Sequence, residues 1–334
     1  MPAAMKGFPA RPMHPLLQIL VLVGLAFAGL CLGSFVGLVL ATQVYGYSLA
    51  GFAQISANPA GSPHGWAALM LLQGLSLAGL GAGAALMPAV VGAPWAGYFA
   101  PRRLGSAGWP LAAGALILVI VPLMSVLVAW NADVHFPAFL HDFELWARAK
   151  EDQAGALTKF LTQFGTAGRL LVGVLVIAVV PAVAEELVFR GVIQQNLVRW
   201  FGSRHAGVWA AAAIFSAIHF QFFGFVPRFV LGLVLGYLYE WSGNILVPMA
   251  AHFTNNAFQL VLLYLVQRGA FGWNTAFDPD STEALPWPMA VASAVLAGAL
   301  LWGLRQRMGA PDSPRLMRTV SRQGVAVGPG QPMP

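Results

Sequence analysis

Glu185 and Glu186 stand side by side in an apolar stretch of a 334-residue chain. Of its 12 acidic residues only these two and Glu240 fall in hydrophobic segments, and of its seven histidines only His219 and His252 do. An ionised side chain at mid-bilayer depth costs roughly 2.5–3.5 kcal/mol on insertion scales, so such residues are candidates for function. Glu186 and Arg190 are four apart, hence on one helical face, where carboxylate and guanidinium neutralise each other. Glu185 lies about 100° further round the helix, outside that pairing, and is available as a general base. Phe215 and His219 share a face on a second segment, and His252 and Asn256 on a third. An imidazole and an amide at that spacing offer N–H donors to a common point, which suits an oxyanion. Taken singly, each motif is also explained by a helix-locking pair or a hydrogen-bonded core histidine. Together on three neighbouring helices they point to a site.

The elements that must position these groups are membrane helices. The chain is 58% hydrophobic and 9% charged, with mean hydropathy +0.71, against about 25% charged residues in soluble domains. Eight apolar spans are expected, at 16–41, 66–91, 110–130, 168–199, 206–221, 226–241, 244–267 and 287–304, which makes the fold class all-α, a polytopic integral membrane helical bundle. The fourth is longer than one bilayer crossing requires and is expected to tilt or project. Pro181 and Pro248 each precede a key residue by four positions, where proline kinks a helix or marks its first turn. Gly232 and Gly236 give a small-xxx-small face for close packing. The first span is read as a retained helix, with an uncleaved targeting anchor as the alternative. Cys31 is the single cysteine, which excludes an internal disulfide and any Cys-based zinc cluster.

Charge orders the chain. Residues 1–15 form a basic tail, 16–165 the N-terminal helices with a polar connection, 166–267 the core carrying the motifs, 268–304 a loop and last helix, and 305–334 a basic tail of disordered composition. Arg102 and Arg103 join the basic tails, whereas 131–168 carries five acids and three bases and 268–286 has Asp278, Asp280 and Glu283 against Arg268. Basic residues favour the cytoplasmic side, so an even number of spans puts both termini there. The +6 charge is accounted for by that topology and does not indicate nucleic acid. Within 131–168, apolar residues recur at helical spacing among charges, as in an amphipathic surface helix, a substrate-guiding element or a solvated linker.

The segment Glu185-Glu186-Leu187-Val188-Phe189-Arg190, the pair Phe215 and His219, and the pair His252 and Asn256 resemble, in order and spacing, the motifs of the CAAX protease and bacteriocin-processing (Abi) family of intramembrane endopeptidases. Phe229 to Tyr237 resembles its glycine-bearing segment. The resemblance covers roughly 180–260. It implies peptide-bond hydrolysis within a helical bundle, with Glu185 and His219 activating a water, His252 and Asn256 binding the oxyanion, and Glu186, Arg190 and Phe215 bracing the site. It implies as substrate a peptide or membrane-protein precursor in the bilayer, and the Ala/Gly/Val-rich composition is that of a bacterial inner-membrane protein. No metal or other cofactor is expected, because Glu186 is expected to be committed to Arg190 and few acids remain to hold imidazole rings. Were zinc present, Glu185, His219 and His252 would be its ligands. A proton- or ion-coupled transporter and a non-catalytic membrane scaffold are the competing classes, the former weakened by the absence of a matching half.

Overall fold

The computed structural model describes residues 13–270 and 284–309, apart from 49, 52, 54, 56 and 57. The acidic stretch 271–283, the first twelve residues and the tail from 310, with the expectations made for them, lie outside the described residues. The principal helices are α1 (Pro15–Tyr45), α2 (Gly65–Ala85), α3 (Gly108–Ala132), α4 (His141–Leu161), α5 (Ala167–Phe201), α6 (Arg204–Ala217), α7 (Phe225–Ser242), α8 (Leu246–Gln267) and α9 (Trp287–Met308). No strand occurs among the described residues. Large apolar side chains such as Leu20, Phe27, Leu32, Phe35, Val295 and Trp302 are exposed, an outward face that water would not tolerate and lipid requires. The chain is an integral membrane helical bundle.

Six of the eight expected spans are matched by length and composition. Among the described residues, six helical segments are long and apolar enough to cross a membrane: Pro15–Tyr45, Gly65–Val90, Gly108–Ala132, Ala167–Phe201, Phe222–Ser242 and Trp287–Met308. The expected span 206–221 is a helix of 14 residues, about 21 Å at 1.5 Å per residue and short of the ~30 Å core. The expected span 244–267 is a 22-residue helix whose hydropathy is lowered by His252, Thr254, Asn255, Asn256 and Gln259. The residues that would do chemistry are what remove it from the count.

Glycine decides how closely the helices approach. A Cβ on Gly29 would stand 2.1 Å from the Gly79 carbonyl oxygen, and one on Gly83 would stand 2.3 Å from that of Leu25, so α1 and α2 pack backbone to backbone. A Cβ on Gly81 would stand 2.9 Å from Ala184, which brings α2 onto α5 beside the two glutamates. The Gly232 and Gly236 face packs against Ala212 of α6 and against Val208 and Gln194. α9 locks onto α3 at Pro122: Ser293 Oγ accepts from the Leu123 N–H at 3.3 Å and donates to the Val119 carbonyl at 2.6 Å. A hydroxyl thus enters the hydrogen-bond ladder where proline loosens it.

The ends of the helices are tied consistently. Arg199 on α5 donates to Gln18 on α1 at 3.1 Å. Arg102 donates to the carbonyls of Glu240 and Trp241 at the end of α7 and of Met308 and Gly309 at the end of α9, a cation against the negative ends of two helices. Glu240, one of the intramembrane acids by sequence, sits at this same end, 3.7 Å from Arg204. At the opposite end α4 is an ordered, clamped helix, so the alternative of a solvated linker falls. Glu144 accepts from the Phe136 N–H and from Arg148, and Phe143 and Trp146 pack on Phe222 with ring centroids 5.1 and 6.0 Å away.

Candidate active site

The long helix α5 is not uniformly α-helical. Two π-helical segments, Val174–Val179 and Phe189–Gln194, flank the nine-residue α-helical stretch Val180–Val188 that carries both glutamates. Insertions of this kind cluster at functional sites because they rotate the following side chains relative to the α-helical register. Pro181, at the start of the stretch, supplies no N–H to the turn before it. The carbonyl one turn back, on Ile177, accepts from Asn256 Nδ2 at 3.2 Å, so α8 is fastened to α5 where proline interrupts it.

Glu186 is the centre of a buried network. It is fully buried, and its Oε1 accepts from Arg190 Nη1 at 2.8 Å and from His252 Nδ1 at 2.8 Å. Arg190 is spent on further partners: Nη2 donates to the Gly232 carbonyl at 3.0 Å, and the guanidinium lies 4.8 Å over the Phe215 ring. Glu186 is therefore not committed to Arg190 alone, and the expected shortage of acids to hold imidazole rings is corrected. Because a carboxylate holds Nδ1, that nitrogen carries the proton of the neutral His252 ring. Nε2 then faces Glu185 Oε2 across 3.9 Å.

His219 follows the end of α6, with Nδ1 donating to the Phe215 carbonyl at 2.8 Å and Nε2 taking no partner among the described residues. Phe215 joins the two histidines: its ring lies edge-on to His219 at 5.3 Å and to His252 at 6.1 Å. The fold thus gathers Glu185, Glu186, Arg190, Phe215, His219 and His252 from α5, α6 and α8. Asn256, one turn beyond His252, points one amide N–H at Ile177 and accepts from Asn255 at 3.0 Å. A second Nδ2 proton remains to it. Among the described residues, no three or more His, Cys, Asp or Glu side chains gather as a metal-holding group.

Several contributors were not read from the sequence. Gln194 extends the buried row, donating to the Gly236 carbonyl at 3.0 Å, and its i+4 spacing from Arg190 was a visible signal. Arg228, in the first turn of α7, is a cation in an apolar segment with no acid three or four residues away. That isolation was itself a signal.

Residues 167–258, which hold every one of these motif residues, match the sequence model of a family described as type II CAAX prenyl endopeptidase, Rce1-like. The uncharacterized protein YpbD of Bacillus subtilis (strain 168) is 41% identical over 80 residues, covering 23% of this chain and 38% of that protein. The chain thus matches well under half the length of that curated relative. No solved structure matches it. The motif-bearing stretch of this membrane bundle is similar to the Rce1-like type II CAAX prenyl endopeptidases.

Proposed function

We propose that the chain is an intramembrane endopeptidase that hydrolyses a peptide bond of a membrane-associated peptide or protein. One observation carries the reading: Glu185, with no Lys or Arg at ion-pairing distance among the described residues, faces across 3.9 Å the Nε2 of an imidazole whose Nδ1 is held by Glu186. Glu185 takes a proton from water, the hydroxide adds to the scissile carbonyl carbon, and the same carboxyl returns the proton to the amine as the C–N bond breaks. His219, with Nδ1 given to a carbonyl, orients the water through Nε2. His252 donates from Nε2 in its protonated form, and with the second Nδ2 proton of Asn256 it stabilises the oxyanion. Glu186, Arg190 and Phe215 fix the ring that does so. The chemistry is assigned to these side chains without a metal or other cofactor.

The test is cleavage by purified protein in lipid vesicles, with membrane and secreted peptides compared between wild type and a Glu185→Gln strain to find the substrate. Glu185→Gln keeps the shape but cannot accept the proton, and cleavage should fall about 10²–10⁴-fold with folding intact. Wild-type turnover in that variant would sink the assignment. Elemental analysis accompanies it: near-stoichiometric zinc whose removal stops cleavage, and whose return restores it, would transfer Glu185, His219 and His252 to ligand roles.

A further inference from the structure

The first turn of α7 holds a cation that the network above does not use. Arg228 Nη2 donates to the Gln221 amide oxygen at 2.6 Å, and Nη1 is buried without a partner among the described residues. No carboxylate among those residues reaches ion-pairing distance of it. Its direct partner is a neutral amide at the positive end of a helix, and Glu151 and Glu185, the acids whose charges act on it, stay beyond ion-pairing distance. A cation that only stabilised the fold would have an acid beside it, as Arg190 does.

The surrounding loop is nevertheless built to hold it. A Cβ on Gly224 would stand 3.2 Å from Arg228 Nη2, so glycine leaves room for the guanidinium. Gln221 follows Phe220, whose φ of 53° is a left-handed conformation uncommon for a residue with a side chain. The residue before Phe220 is His219, so one short loop places both the histidine and the arginine. That loop is fixed from outside: Asn131 accepts from the Val226 N–H at 2.7 Å and donates to the Phe222 carbonyl at 3.3 Å, and Glu151 of α4 accepts from the Phe223 N–H at 3.0 Å. The charge of Arg228 acts on both Glu185 and His219, which puts it at the rim of the site.

We propose that Arg228 binds a carboxylate of the substrate peptide through its guanidinium, and by doing so sets which peptide bond is presented to Glu185. A carboxylate matches a guanidinium edge in charge and geometry, which a neutral carbonyl does not. The peptide's terminus and an Asp or Glu side chain are the two sources of that group. The identity of the ligand as a substrate rests on the hydrolytic reading; the binding does not.

The test therefore reads binding. The full chain, carrying Glu185→Gln to prevent turnover, is placed in phosphatidylcholine nanodiscs. Fluorescence anisotropy follows a labelled heptapeptide of Ala, Val and Leu in three forms: free C-terminal carboxylate, C-terminal amide, and the amide with one internal glutamate. A carboxylate form should bind about tenfold or more tighter than the plain amide, the range of a charge-assisted hydrogen bond. Arg228→Gln should reduce that preference to within about twofold while leaving the amide's affinity unchanged, and Arg228→Lys should restore part of it. Preference for the free terminus assigns the terminal carboxylate, and preference for the glutamate form assigns a side chain. Equal binding of all three forms overturns the proposal. So does a preference that survives Arg228→Gln, or a loss of all three forms that Arg228→Lys restores together. A protein that binds in this way but cleaves nothing when Glu185 is present refutes the hydrolytic reading and leaves the carboxylate site standing.

Discussion

Glu186 has two tasks that can be separated. It neutralises a buried arginine and holds the His252 ring, both through Oε1. Removing one member of a fully buried pair leaves an uncompensated charge and costs about 3–5 kcal/mol, whereas replacing both by apolar residues is often neutral. Glu186→Leu and Arg190→Leu should each lower the melting temperature strongly. The double variant should regain much of that stability yet remain inactive, because His252 loses the carboxylate that fixes its Nδ1 proton. Single variants that melt like wild type would mean that the pair does not bear on the core. A double variant with normal cleavage would remove Glu186 from the site.

At the scale of elements, the loop carrying His219 and Arg228 depends on its contact with α4. Glu144 holds that helix against the end of α3. Its carboxyl is lowered to about 2 by the Phe136 N–H first and by Arg148 and His135 beside it. A depressed carboxyl contributes stability that is fully present above its unfolded value and is lost as pH falls through its folded value. Glu144→Gln should therefore lower the stability of α4 docking at neutral pH. The difference from wild type should close between about 4.5 and about 2. Hydrogen exchange at the amides of Phe136 and Phe223, followed against pH, reads it directly. A difference that closes near neutrality would place the stabilising charge on another group. Arg148, which also lies 3.9 Å over the Phe223 ring, ties the same helix to the loop, so exchange there should rise together with that at Phe136.

At the scale of the molecule, Arg199 ties α5 to the first described helix and Arg102 ties α7 to the last at one end, and α4 lies at the other. We take the basic end as cytoplasmic from its charge. Reporter fusions at the C-terminus and at residue 278 should then read opposite sides of the membrane, the former cytoplasmic. Same-side readings would mean that α9, the helix between them, does not cross; a C-terminus read outside would mean that only one of α6 and α8, the two helices outside the hydropathy limits, contributes a crossing. The N-terminal half also gains a function here. α2 packs on the glutamate-bearing stretch at Gly81, and α3 and α4 pin the His219 loop.

Local rules made part of this legible from the amino-acid order. Four-residue spacing put Glu186 beside Arg190, hydropathy located the helices, and the scarcity of intramembrane charge singled out Glu185, His219 and His252. Each of these depends on neighbours within a turn or a span. The tertiary structure alone decided which acid holds which ring, since Glu186 and His252 lie 66 residues apart and no periodicity links them. The π segments of α5 were equally hidden, and at the first of them the Ile177 carbonyl that Pro181 leaves unpaired is taken by the Asn256 amide of another helix. Of the two helices outside the hydropathy limits, α6 is too short, whereas α8 is lost because it turns His252 and Asn256 towards α5, and a mean over a segment cannot tell an inward face from an outward one. Arg228 shows the same limit. Its charge is visible in the sequence, but that no carboxylate among the described residues reaches ion-pairing distance of it is known only once the other helices have been placed.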